Sequence, residues 1–178
     1  MLSRCISPFV LLLVAASAAA APLPASHIGE AAVREAGNGL PCFTIAEREE
    51  QSGGAPDFDS VTVYDASARP RARMWSMSMP PARTFPVMFS MCIPYGGRVQ
   101  SLPQTKAATL VAGKVYEVVI DVRSGQSRAS SATTAFNRPR GYHARFCLAK
   151  QRDGAMLVRH IGALAKEGRN VYGCIAPR

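Results

Sequence analysis

The sequence predicts an all-β domain: a two-layer sandwich of about seven or eight antiparallel strands behind a cleaved export signal. Three observations predict it. Segments with apolar residues at every second position recur from Cys42 to Ile175, separated by Gly, Pro and Asp-Gly turns. The chain opens with a basic residue, a short apolar run and an alanine-rich stretch. Four cysteines, Cys42, Cys92, Cys147 and Cys174, remain once that opening is removed, an even number in an exported chain.

The opening reads as a secretory signal: Arg4, then Phe9 to Val14, then Ala15 to Ala21 with one Ser. Cleavage is expected after Ala20, with Ala18 and Ala20 in the small-residue positions; the alternative is an uncleaved anchor, for which the apolar run is marginal. About 155 residues follow, enough for one domain with a single core. Residues 1–20 are therefore assigned to the signal, 21–39 to a linker and 40–178 to the sandwich. The linker is rich in Ala, Pro and Gly, carries His27, and has a brief helix-compatible piece at Glu30 to Glu35.

Within the domain, Cys42 to Ile45 reads as a first strand, and Glu47 to Glu50 before Gly53-Gly54 as a solvated turn. Asp59 to Asp65 is a second strand with Val61 and Val63 inward. Arg71 to Met79 is a third, with Trp75, Met77 and Met79 on one face, stopped by Pro80-Pro81, which cannot donate to a ladder. Val87 to Ile93 reads as a fourth, with Val87, Phe89, Met91 and Ile93 on one face and Cys92 on the other, ended by the turn Pro94 to Gly97.

The segment Leu110 to Val122 is the centre of the pattern. Tyr116, Val118, Ile120 and Val122 share one face, Glu117, Val119 and Asp121 the other. Leu110 stands six residues before Tyr116, with Gly113 between them to permit a tight turn. This spacing resembles the tyrosine corner of immunoglobulin-like and fibronectin type III sandwiches, where a tyrosine near the start of a core strand bonds back to upstream backbone. Gly141 to Leu148 is the next strand, with Tyr142, Ala144, Phe146 and Leu148 on one face; Asp153-Gly154 turns it into Met156 to Ile161. Gly162 to Gly168 suits a turn of helix, and Val171 to Ile175 closes the sheet.

Composition narrows function more by exclusion than by indication. There are 21 basic and 12 acidic residues, a net charge of +9, or +8 without Arg4. In an exported protein this charge points to solubility, an anionic envelope surface or an acidic partner rather than to nucleic acid. No C-x-x-C pair supports a zinc ribbon or a thioredoxin-type redox site. Four cysteines allow three pairings. Cys147 with Cys174 ranks first, because both lie in candidate strands close in sequence, leaving Cys42 with Cys92; the other two remain open. No P-loop, nucleophile elbow, H-E-x-x-H or EF-hand pattern occurs, and three histidines leave little from which to build a general base. His160 is read as structural.

Two features stand as binding candidates. Met74, Met77, Met79, Met88 and Met91 crowd two neighbouring segments, and thioethers are soft ligands suited to Cu(I); as side chains they are equally adaptable core fillers. Arg123 to Gly141 lacks periodicity and carries Arg123, Arg128, Arg138 and Arg140, the most basic local feature and a candidate contact surface.

Gly39 to Phe43, Cys92 to Gly96, Leu110 to Tyr116, Arg140 to Cys147 and Gly173-Cys174 together resemble a group of small exported proteins of Gram-negative bacteria. That group is labelled as type VI secretion immunity proteins, many of them lipoproteins. The resemblance implies an inhibitor that sits in the periplasm and blocks a toxin delivered by a neighbour. No cysteine follows the apolar run in a lipobox, since Cys5 precedes that run, so a lipid anchor is not expected. The reading is a non-enzymatic, cofactor-free periplasmic binding protein with a toxin or envelope protein as partner and no nucleic acid. Its membrane contact is expected only through the signal or weak electrostatics. The alternatives are a soft-metal carrier using the methionines and a basic, envelope-associated structural module.

Overall fold

Tyr116, Val118 and Ile120 are fully buried, one face of a strand on which the rest of the sheet is laid. The computed structural model describes residues 27–37, 39–123, 139–161 and 174. Within them the chain forms β1 (Gly29–Glu35), β2 (Pro41–Ile45), α1 (Glu47–Gly53), β3 (Phe58–Asp65), β4 (Ala72–Ser78), β5 (Ile93–Pro94), β6 (Val115–Val122), β7 (Gly141–Lys150) and β8 (Met156–Ile161). The signal segment, residues 162–168 and the strand expected over 171–175, Cys174 apart, lie outside the described residues. Among the described residues no helix is long and apolar enough to cross a membrane.

The strands form one curled sheet in the order β4-β3-β6-β7-β1-β2-β5, with β8 also paired to β7. Antiparallel registers Val63↔Val118 and Ile120↔Tyr142 stack the inward residues of β3, β6 and β7 on one face. β7 gives Gly141 to Cys147 to β6 on one side. On the other side β1 takes its first residues, Gly29↔Tyr142 and Glu30↔His143, and β8 takes the remainder from Arg145 onward. The β1 pairing is parallel, so the sheet is mixed and not wholly antiparallel as the sequence predicts. Gly29 permits the approach, because a Cβ there would strike the Tyr142 ring. Beyond that point β1 leaves β7 and carries β2 and β5 across the same core. Phe43 of β2 thereby meets Trp75 of β4, with ring centroids 6.5 Å apart, and Phe146 of β7 at 5.5 Å.

Three segments differ from their sequence assignments. Residues 29–35 were assigned to a helix-compatible linker and form β1. Ala31 and Val33 are buried at alternate positions, and tertiary burial overrides the helical preference of alanine. Glu47 to Gly53 forms the short helix α1 rather than a turn, with Glu47, Glu49 and Glu50 in its first turn, where carboxylates suit the helix dipole. Residues 87–93 are not a strand; only Ile93, with Pro94, makes one. Pro86 and Pro94 lack N–H donors, and a turn at Met88 to Met91 breaks the ladder. The segment folds over the outer face of β2 instead, where Thr44 Oγ1 donates to the Met88 carbonyl at 2.7 Å and the Phe89 N–H to Glu50 Oε2 at 2.7 Å. Phe89 is therefore only half-buried, beneath the Arg34 guanidinium at 3.9 Å from its ring centroid. Covered on both faces, β2 is buried at every residue.

Cys42 is paired with Cys92 and Cys147 with Cys174, at Cα separations of 5.4 Å and 6.1 Å. The first pair ties the 86–92 segment to β2. Tyr116 Oη accepts the Val111 N–H at 2.7 Å and lies 3.4 Å from the Val111 carbonyl, while Leu110 packs against the core and Gly113 turns with φ +82°. Tyr116→Phe is expected to lower stability by about 1–2 kcal/mol, because it leaves the Val111 N–H without its partner. Urea unfolding measures it.

Trp75 is buried, and Tyr95 packs edge-on to it at 5.6 Å. Tyr95 Oη donates to the Ala108 carbonyl at 2.7 Å and holds segment 103–108 along the outer edge of β4. There Ser78 N–H meets Pro103 O, and Thr105 N–H meets Ser76 O. Burial pushes the Tyr95 phenol up to about 12, the neighbouring Tyr116 adds to this, and the Ala108 bond opposes it. Burial also raises Tyr116. A raised folded value means the fold favours the neutral phenol. Its contribution is complete below the reference value of 10.0 and is lost as pH climbs toward about 12. The urea midpoint should therefore fall between about pH 10 and about pH 12, and less steeply in Tyr95→Phe.

Candidate binding cavity

Arg123, just past the end of β6, braces the turn that follows β4. Its Nε pairs with Asp59 Oδ1 at 3.0 Å. Its terminal nitrogens donate to the carbonyls of Met79 (2.8 Å), Pro80 (2.9 Å), Pro81 (3.0 Å) and Arg83 (2.6 Å). Those five bonds use the five N–H groups of a guanidinium, so none remains for a partner. The side chain, 20 % exposed, gathers the carbonyls of the Pro80-Pro81 turn that the missing proline donors leave open. Arg140 is exposed, and its backbone N–H meets the His27 carbonyl at 3.2 Å. Arg128 and Arg138 lie outside the described residues.

The turn that Arg123 holds is one wall of a cavity of about 460 Å³. Met79, Arg83, Thr84 and Phe85 form that wall. The facing wall is residues 97–102, folded back by the bonds Gly97 N–H to Pro94 O and Leu102 N–H to Val99 O, each 3.0 Å. Arg83 Nη1 donates across the mouth to Ser101 Oγ at 3.0 Å. The floor is Phe58, Met77 and Ile93, all buried, with Met91 and Cys92 beside it. Polarity is graded: the buried lining residues are apolar, whereas Arg83, Arg98, Thr84 and Ser101 are exposed. The volume falls within the range of about 300–1,000 Å³ usual for small-molecule sites.

The methionines divide accordingly. Met77, Met79 and Met91 line the cavity; Met74 packs against the core elsewhere, and Met88 is 38 % exposed. Among the described residues no group of three or more His, Cys, Asp or Glu side chains is placed to hold a metal ion.

A second, polar notch of about 400 Å³ lies where β1 leaves β7, with Glu30, Arg48, Glu49, His143, Arg145 and His160 around it. The two histidines make separate contacts. His160 Nδ1 accepts the Val33 N–H at 3.4 Å, and its Nε2 lies 3.6 Å from Glu30 Oε1, a clip between β8 and β1. His143 instead meets Glu117, which Arg71 also pairs.

Sequence patterning missed Phe58, Phe85, Arg83, Arg98 and Leu102 as site residues. They come from separate segments, and residues 97–102 have no periodicity to find. Only the methionine crowding pointed toward the place. Compared with known proteins, the chain matches no family model, no curated protein and no solved structure.

Proposed function

We propose that this chain is a non-enzymatic periplasmic binding protein on an immunoglobulin/fibronectin type III-like sandwich, with the cavity as its binding site. The fold reading is supported by strand order: β4-β3-β6-β7 runs as C′-C-F-G, and β1-β2-β5 as A-B-E. The Tyr116 bond to Val111 stands where a tyrosine corner would be, at the start of the F-like strand. The export reading is supported by the signal-like first twenty residues.

The observation that carries the functional reading is the graded cavity, apolar at its floor and cationic at its mouth, held open by Arg123 and the Arg83–Ser101 bond. Titration with N-phenyl-1-naphthylamine, which fluoresces in apolar sites, tests it. One saturable site is expected in the processed protein, lost in Val99→Trp, whose indole would fill the mouth. No saturable site would overturn the reading.

The resemblance to immunity proteins favours a second form of binding, in which a delivered toxin is the partner and the rim its contact. Neutralisation of a toxin encoded beside this gene, in a growth assay, tests that form; unprotected cells count against it. Three thioethers around one cavity keep the soft-metal alternative in view. Cu(I) titration of the reduced-atmosphere protein, with no binding tighter than about micromolar, would remove it.

A further inference from the structure

We infer that the occupant of the cavity is a long-chain fatty acid, its alkyl chain on the methionine-lined floor and its carboxylate between Arg83 and Arg98. The inference rests on the binding reading and names its ligand. Three features of the lining carry it.

The floor side chains offer a ligand no strong hydrogen-bond partner. Phe58, Met77 and Ile93 are buried and apolar, and a polar group placed on them would lose its water without replacement. Methionine is unbranched and flexible, so Met77, Met79 and Met91 can settle around a linear chain in several positions, which a rigid aromatic wall could not do. A saturated alkyl chain meets both conditions.

The mouth is selective by charge. Among the described residues, Arg83 and Arg98 are the charged residues of the lining, and no carboxylate stands with them. Arg83 spends one donor on Ser101 Oγ, and among the described residues Arg98 has no ion-pair partner. The nearby Asp59 is held by Arg123 and does not line the cavity. Two guanidinium forks above an apolar floor complement one terminal carboxylate, which each can grip with two N–H groups. A neutral amphiphile would leave that charge unused, and a cationic one would be repelled.

Displacement of N-phenyl-1-naphthylamine from the full processed chain tests this, with tetradecanoate, tetradecanol and tetradecyltrimethylammonium as competitors below their aggregation thresholds. Tetradecanoate should displace the probe about tenfold or more better than tetradecanol, with the ammonium weakest. Arg98→Glu, at an exposed position, should cost tetradecanoate about tenfold or more and leave tetradecanol unchanged. Arg83→Lys keeps the charge but breaks the fork and should weaken tetradecanoate less than Arg98→Glu does. Circular dichroism checks that each variant is folded. Equal displacement by acid and alcohol, or indifference to Arg98→Glu, overturns the fatty acid while the binding reading stands. Probe binding without displacement by any competitor also overturns it and directs the search to a protein occupant. Failure of the probe itself to bind removes both readings.

Discussion

Phe43→Ala is expected to lower the free energy of unfolding by about 3–5 kcal/mol, the largest effect of any single truncation discussed. Phe43 joins the two halves of the curled sheet. Its ring centroid lies 5.5 Å from Phe146 on β7, 6.5 Å from Trp75 on β4 and 6.5 Å from Tyr95 after β5. Removing the ring opens a cavity among side chains that hydrogen-bonded strands hold in place and that cannot close over it. Phe89→Ala is the control. The sequence pattern places that residue on one face with the buried Val87 and Ile93, yet it lies half-buried under Arg34, so its truncation should cost about 1 kcal/mol or less beyond the lost cation–π contact. Urea unfolding of the two variants decides the matter. Equal costs would mean that residues 86–92 enter the core as a strand after all.

Arg123→Ala is expected to cost about 2–3 kcal/mol and to weaken probe binding in the cavity by about tenfold or more. Four carbonyls of the Met79–Arg83 turn lose a charged donor together, and Asp59 loses its cation. Prolines 80 and 81 supply no N–H of their own, so the turn has few internal bonds to fall back on. Arg123→Lys separates charge from shape: an ammonium can replace the attraction to Asp59 but cannot reach the carbonyls as a planar fork. Lysine should restore little of the binding and only part of the stability. Arginine's stabilising role predicts this result; a surface contact for a partner would instead leave both the urea midpoint and the probe affinity unmoved.

Much of the strand pattern was legible because alternation survives wherever one face is covered and the other is not. Val61 and Val63, Trp75 and Met77, and Tyr116, Val118 and Ile120 all lie where a period of two puts them. The tyrosine at 116 was legible for a further reason. Its partner is local backbone, and the Gly113 turn that brings them together has a sequence signature of its own.

Alternation failed where a segment's surroundings were set by distant chain. Val33 and Ala31 have too small an apolar face to announce a strand, and only the β7 edge and the fold-back of β2 give them one. Phe89 alternates correctly with its neighbours, but its segment is turned outward by the Thr44 bond to the Met88 carbonyl, the Phe89 N–H bond to Glu50 and the Cys42–Cys92 disulfide, all to distant parts of the chain. The cavity is the furthest from sequence. Its walls meet because Arg123 reaches one loop, Arg83 crosses to the other, and β4 and β5 end at the same opening.

By itself, then, the sequence determined the buried faces of β3, β4, β6 and β7, that four cysteines follow a signal-like opening, and that a tyrosine stands at the turn before β6. Those depend on neighbours along the chain, whose spacing is fixed by covalent geometry. Only the tertiary structure decided that the sheet is mixed, that Arg123 braces the Met79–Arg83 turn, and that methionines and arginines from separate segments share one cavity. Those depend on which surfaces meet, and that is set by packing over the whole core rather than by any one segment.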